Sequence, residues 1–191
     1  MTLQEVVARF NTTPFLFAGS GITRRYYGLP DWVGLLTHFA EKVKNDQFAF
    51  RYYESKVSEL DDAEKLPTIA SYIEKDFNEA WFNNLPGVRS ESENVQRTVS
   101  EGVSPFKAEI AEYINSISVV KNEYNEEVKK LQNIAKNNIS GVITTNYDCF
   151  FENLFDGYKT FIGQDELVFS QLQGVAEIYK IHGSVQSPLS I

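Results

Sequence analysis

The chain has 191 residues, 42% of them hydrophobic and 23% charged, with 26 acidic against 18 basic side chains and a formal net charge of -8. That length and balance suit a folded domain with its own core and exclude a disordered or fibrous chain. The acidic excess leaves no broad phosphate-neutralising surface, since the densest basic pairs are Arg24-Arg25 and Lys129-Lys130, so direct nucleic-acid binding is not expected.

The stretch "LQEVVARF" sets Leu3, Val6, Val7 and Phe10 at helical spacing and reads as a short amphipathic helix. It lacks the long apolar run of a secretion signal, and no run along the chain approaches a membrane span. "PFLFAG", from Pro14, is a compact apolar run broken by glycine, as a buried parallel strand should be. After the glycine turn, "PDWVGLLTHFAEKV" puts Trp32, Leu35, Leu36, Phe39 and Val43 on one helix face with Asp31 as N-cap.

Residues 45–118 read as a helical insertion, with helices in "LPTIASYIEKDFNEAWFNNL" and "PFKAEIAEYINSI" and an exposed loop, "PGVRSESENVQRTVSEGVSP", between them. The aromatic stretches "FAFRYYE" and "AWFNNL" read as helix packing, and His38 as a structural residue. "NEYNEEVKKLQNIAKNN" is a surface helix with Glu126 four residues before Lys130. A β-branched strand follows from Ile139 to Thr145, then a polar turn and another helical start at the apolar "CFF". Cys149 begins that run and reads as a buried thiol. As the one cysteine it excludes an internal disulfide and a structural zinc site built on paired cysteines, and it fits a reducing, cytoplasmic setting. The last strand is "AEIYKI", followed by "HGS". The apolar ending "SPLSI" reads as the edge of a fragment from a longer protein.

Three apolar strands thus end in three polar turns: "GSGIT" at Gly19 to Thr23, "TTNYD" at Thr144 to Asp148, and "HGS" at His182 to Ser184. In an open parallel sheet, loops at the carboxyl ends of strands gather in one crevice, where ligands bind. Glycines in the first turn let a phosphate approach the backbone, although the third glycine of GxGxxG is replaced by Arg24 and no P-loop lysine follows. Asn146 and Asp148 also suit an ordinary turn, and His182 an ordinary strand end. Arg24 and Arg25 suit solvent, or a phosphate or an acidic neighbour across a subunit contact.

In order, "GSGIT" with "GLPDW", then "TTNYD", then "KIHG" resemble the motifs of the sirtuin family. The tryptophan leading into "VGLL" resembles the bacterial sirtuin-like NAD hydrolases of anti-phage defence more than the deacetylases. The resemblance implies an α/β, Rossmann-like parallel sheet over residues 1–191 with the helical insertion, binding NAD as substrate. It implies that Gly19, Ser20 and Gly21 cradle the pyrophosphate with Thr23 nearby, and that Asp31 lies close to the nicotinamide ribose. Asn146 matches the asparagine that orients the ribose hydroxyls and the attacking water, Asp148 the acid that contacts the carboxamide, and His182 the general base. Thr145, Gly183 and Ser184 complete the expected nucleotide contacts.

The departures are specific. The four cysteines of the deacetylase zinc module are missing, Thr145 stands where the deacetylases have glutamine, and Val33 where they have an arginine. The expected activity is therefore hydrolysis of NAD to nicotinamide and ADP-ribose, by an effector of abortive infection that assembles as a homo-oligomer or answers to a regulatory partner. A protein deacylase or ADP-ribosyltransferase is one alternative, and a non-catalytic sensor of NAD or ADP-ribose is the other.

Overall fold

The computed structural model describes residues 13–191. The chain divides into an α/β unit, Met1–Leu29 with Ile114–Ile191, and a helical unit, Pro30–Tyr113. The helix expected at residues 3–10 lies outside the described residues.

In the α/β unit β1 (Phe15–Ala18) leads directly into α1 (Ser20–Tyr26). Here the structure differs from the sequence reading, which places a loop between the strand and a helix at Asp31. A helix that starts at Ser20 converts the glycine turn itself into its first turn, with Gly19 as extended N-cap. It ends at Gly28, whose φ of 81° lets its N–H reach the Thr23 and Arg24 carbonyls.

After the helical unit the chain forms α7 (Asn125–Asn138), β2 (Gly141–Thr144), α8 (Phe150–Leu154), β3 (Lys159–Ile162), α9 (Gly163–Phe169) and β4 (Glu177–Lys180). The four strands are all parallel, in the order β1-β2-β4-β3. This is the mixed α/β, Rossmann-like class expected, with a fourth strand the sequence did not signal. β3 is four residues, KTFI, with Lys159 exposed and only Phe161 fully buried, too short and mixed for a pattern. Pairing joins Ala18, Thr144, Lys180 and Ile162 in the last row of the sheet. Gly141 has no room for a side chain: a Cβ there would lie 2.5 Å from the Glu177 carbonyl oxygen. At the start of β4 the buried Glu177 carboxylate faces a desolvation penalty, outweighed by hydrogen bonds from the Tyr179 hydroxyl and the Gln173 and Gly174 N–H groups, which hold its pKa low.

The helical unit holds α2 (Trp32–Lys44), α3 (Ala49–Ser55), α4 (Asp62–Phe82), α5 (Glu93–Ser100) and most of α6 (Pro105–Ile117). Asp31 caps α2 by accepting the Gly34 N–H at 2.9 Å. Leu35, Leu36, Phe39 and Val43 are buried as their spacing demands, but Trp32, in the first turn of α2, is 40% exposed. Phe39, Phe77 and Phe106 pack with centroids 5.3 to 5.5 Å apart. His38 is structural here: it stacks on Tyr113 at 4.3 Å, and burial, with Lys42 adding to it, lowers its pKa.

The segment expected to be an exposed loop instead contains α5 and buries Val88 and Val95 completely or nearly so. Ser92 caps α5 by accepting the Val95 N–H, and Glu109 and Glu112 of α6 accept from Ser90 N and Ser92 Oγ. Polar side chains that read as solvated are therefore bonded to α6. On α7 Glu126 pairs with Lys129 at 2.7 Å rather than with Lys130.

Candidate active site

The three polar turns follow β1, β2 and β4, and those strands are consecutive neighbours in the sheet. Parallel pairing puts their carboxyl ends on one edge, so the first two turns meet directly. Asn146, 6% exposed, donates from Nδ2 to the Gly19 carbonyl at 3.2 Å and to Thr23 Oγ1 at 3.3 Å. Its own N–H bonds Thr144 Oγ1 at 3.1 Å. Thr23 is buried and donates to the Ser20 carbonyl. Asn146 and Gly19 are joined although 127 positions separate them in sequence.

The third turn binds the second through its backbone. The Val185 N–H donates to the Tyr147 carbonyl at 2.9 Å, and Ser184 Oγ reaches the same oxygen at 3.5 Å. Gly183 sits at φ 112°, where a Cβ would stand 2.6 Å from the Ser190 carbonyl carbon. Gly183 and Ser184 are buried, whereas His182 at the end of β4 is exposed. Thr145 is partly exposed beside Gly19, its N–H 3.4 Å from the Ala18 carbonyl. Ser20 and Gly21 are exposed on the first turn, and a Cβ at Gly21 would meet nothing within 4 Å. Asp31 belongs to the helical unit, where its carboxylate is a helix cap.

Asp148 is 5% exposed and accepts the Phe150 N–H at 2.9 Å. Burial raises the pKa of its carboxyl, against the Phe150 N–H, the Lys180 ammonium and the Thr23 hydroxyl. Burial likewise pushes the Tyr27 and Tyr147 hydroxyls up to about 12 and the Cys149 thiol up to about 11. A half-buried thiol so shifted is a poor nucleophile at neutral pH. Arg25 forms a two-pronged pair within the chain, with Glu127 at 3.2 and 2.8 Å.

Sequence reasoning missed two supporting residues. Thr144 was read only as the opening of the polar turn, with no role of its own, and its hydroxyl holds the Asn146 N–H. Lys180, completely buried in β4, donates to the Asp148 carbonyl and lies 2.8 Å from Glu152 Oε1. A lysine inside the apolar run "EIYKI" was the available signal.

The model of the SIR2-like domain matches residues 140–191, a span holding β2, the Asn146 turn, β4 and the His182 turn. No curated protein matches the chain. No helix among the described residues is long and apolar enough to cross a membrane, and no group of three or more His, Cys, Asp or Glu there could hold a metal ion.

Proposed function

We propose that this chain, which carries a SIR2-like domain, is an NAD hydrolase that releases nicotinamide and ADP-ribose. The observation that carries the reading is the pair of hydrogen bonds from Asn146 to Gly19 and Thr23, which makes the candidate catalytic side chain and the candidate nucleotide turn one unit. Gly21 adds support: among the described residues nothing stands within 4 Å of where its Cβ would be, so a phosphate can approach the backbone there.

In this reading the Gly19–Thr23 turn holds the pyrophosphate, and Thr145, Gly183 and Ser184 the nucleotide. Asp148 contacts the nicotinamide carboxamide. The C1′–N bond breaks with its electron pair going to the ring nitrogen, so the cationic ring leaves neutral and positive charge develops on the ribose. Asn146 orients the ribose hydroxyls and the water that adds to C1′, and His182 takes the proton. Polar groups fixed beforehand around developing charge are worth about 100- to 1000-fold in rate each. The missing cysteines of the zinc module and Thr145 in place of glutamine weigh against an acyl-lysine substrate. By the same family likeness the hydrolase is a cytoplasmic effector of anti-phage abortive infection, working as a homo-oligomer or under a regulatory partner, with no nucleic-acid contact of its own.

The test incubates the purified chain, and its Asn146→Ala and His182→Ala variants, with NAD and separates nicotinamide from ADP-ribose by chromatography. Expected is turnover in the parent that drops on the order of 100-fold in each variant while calorimetry still detects NAD binding. Tight NAD binding without turnover in the parent would instead support the sensor, and nicotinamide release that requires an added acyl-lysine peptide would support the deacylase.

A further inference from the structure

We propose that Lys180 is a positioning residue for the Asn146 site: its fully buried ammonium holds the Asp148 carbonyl and so fixes the turn that carries Asn146. The proposal rests on the reading of Asn146 as catalytic in NAD cleavage. A lysine completely shut from water is costly, and an aliphatic side chain would fill a strand interior at lower cost. What the ammonium gains is two partners, the Asp148 carbonyl oxygen and Glu152 Oε1 at 2.8 Å. The Glu152 contact is an ion pair without hydrogen-bond geometry, and neither carboxylate oxygen is otherwise bonded. The directed bond therefore goes to the turn.

The register explains why the lysine stands there. Thr144 and Lys180 are paired neighbours in β2 and β4, so their side chains rise from the same row on the same face of the sheet. Thr144 Oγ1 takes the Asn146 N–H at the start of the turn, and Lys180 takes the Asp148 carbonyl at its end. Between them the Tyr147 carbonyl is held by the Val185 N–H. Backbone and hydroxyl groups supply the other braces, and Lys180 is the charged one. Without it the Asp148 carbonyl loses this donor, and Asn146, two residues away, loses the fixed backbone from which its amide reaches Gly19 and Thr23.

The experiment compares Lys180→Met with the double variant Lys180→Met/Glu152→Leu, which leaves no stranded carboxylate. Three quantities are read: the urea midpoint, the side-chain amide signals of Asn146 in nitrogen–proton NMR spectra (identified by their loss in Asn146→Asp), and kcat and KM for NAD. The single variant is expected to be the less stable, because Glu152 is left buried and unpaired. The double variant is expected to recover the parent midpoint and still show displaced or broadened Asn146 signals. Its kcat should be lower by on the order of tenfold or more with KM within about threefold, as for a misplaced catalytic group. Parent-like Asn146 signals and kcat in the double variant would reduce Lys180 to half of a core ion pair. A double variant that does not fold would make it a residue of folding and overturn the proposal equally. If the parent cleaves no NAD the functional reading falls, and the NMR comparison alone decides whether Lys180 positions Asn146.

Discussion

Among the described residues, the buried polar or charged side chains Thr23, Thr144, Asn146, Asp148, Glu177, Lys180 and Ser184 belong to the α/β unit, and Glu109 alone to the helical unit. The helical interior is otherwise aliphatic and aromatic, and Glu109 is matched by the Trp81 indole, the Ser90 N–H and Lys42. In the α/β unit six of those seven residues, all but Glu177, lie in or directly beside the turns at one edge of the sheet. Burying polar groups contributes little net stability even when they are bonded. The helical unit is organised for packing, whereas the α/β unit accepts costly burial to hold a small set of groups in fixed positions. The same kind of substitution should therefore act on stability in one unit and on chemistry in the other.

The largest effect on stability is expected from Phe77→Ala. Phe77 is fully buried against Phe39 and Phe106, and truncating such an aromatic costs about 3–5 kcal/mol. Both tryptophans, Trp32 and Trp81, lie in the helical unit, so tryptophan fluorescence during urea unfolding reads that unit. A midpoint unchanged by the substitution would break the contrast at its strongest point.

Gly183→Ala comes next. The added Cβ meets the Ser190 backbone at a φ of 112°, and neither strain is relieved by rotating a side chain. Backbone strain of this kind costs about 1–3 kcal/mol, expected in the exchange of the amide protons of β2 and β4 and absent from the tryptophan signal. An equal shift in both probes would show that the two units do not respond separately.

Asp148→Asn is expected to act on stability with a sign set by burial. Because burial raises the Asp148 pKa, the folded state prefers the protonated acid. Its favourable contribution is present below the ordinary carboxylate range and is lost as pH rises through the raised value. Asparagine removes the desolvated charge and keeps an oxygen for the Phe150 N–H. The variant should therefore be as stable as the parent or more so at pH 7, converge with it in acid, and cleave NAD more slowly. Urea midpoints across pH measure this, and a variant less stable at neutral pH would mean that Lys180 and Thr23 outweigh burial. Asp76 in the helical unit has the opposite sign: burial opposes it, but hydrogen bonds from Lys44 and Tyr53 lower its pKa, so its contribution is lost as pH falls.

The elements legible in the sequence were those with one dominant signal. β1, β2 and β4 are apolar runs ending in polar turns, and α2 has both its cap and its heptad-like face, so their existence was plain even where ends moved by a residue or two. The lost elements each mixed two signals. The segment around α5 hides the buried Val88 and Val95 among polar residues, of which Ser90, Ser92 and Asn94 bond the glutamates of α6, and β3 is four residues that open on an exposed lysine. At the site, Asn146 and the glycine turn stood out because turn residues after an apolar run are conspicuous. Lys180 did not, since a charge in a strand reads as solvent-facing until the register shows which row it occupies. The meeting of Asn146 with Gly19 is a tertiary fact, set by the adjacency of β1 and β2, that no local pattern encodes.

The smallest expected effect is also the most pointed, because it runs in opposite directions on stability and binding. Gly21 lies inside α1, has no positive φ, and has open space where a Cβ would go. Nothing among the described residues requires glycine there, and glycine in a helix is less stable than alanine by about 0.5–1 kcal/mol. Gly21→Ala should therefore stabilise the α/β unit slightly, read as slower amide exchange in β1 and β2. If the open space is where the pyrophosphate approaches the backbone, the same methyl group obstructs it, and the NAD dissociation constant measured by calorimetry should rise. A variant that is more stable and binds NAD as tightly as the parent would move the phosphate site away from Gly21 and leave the Asn146–Thr23–Gly19 junction to hold the ribose alone.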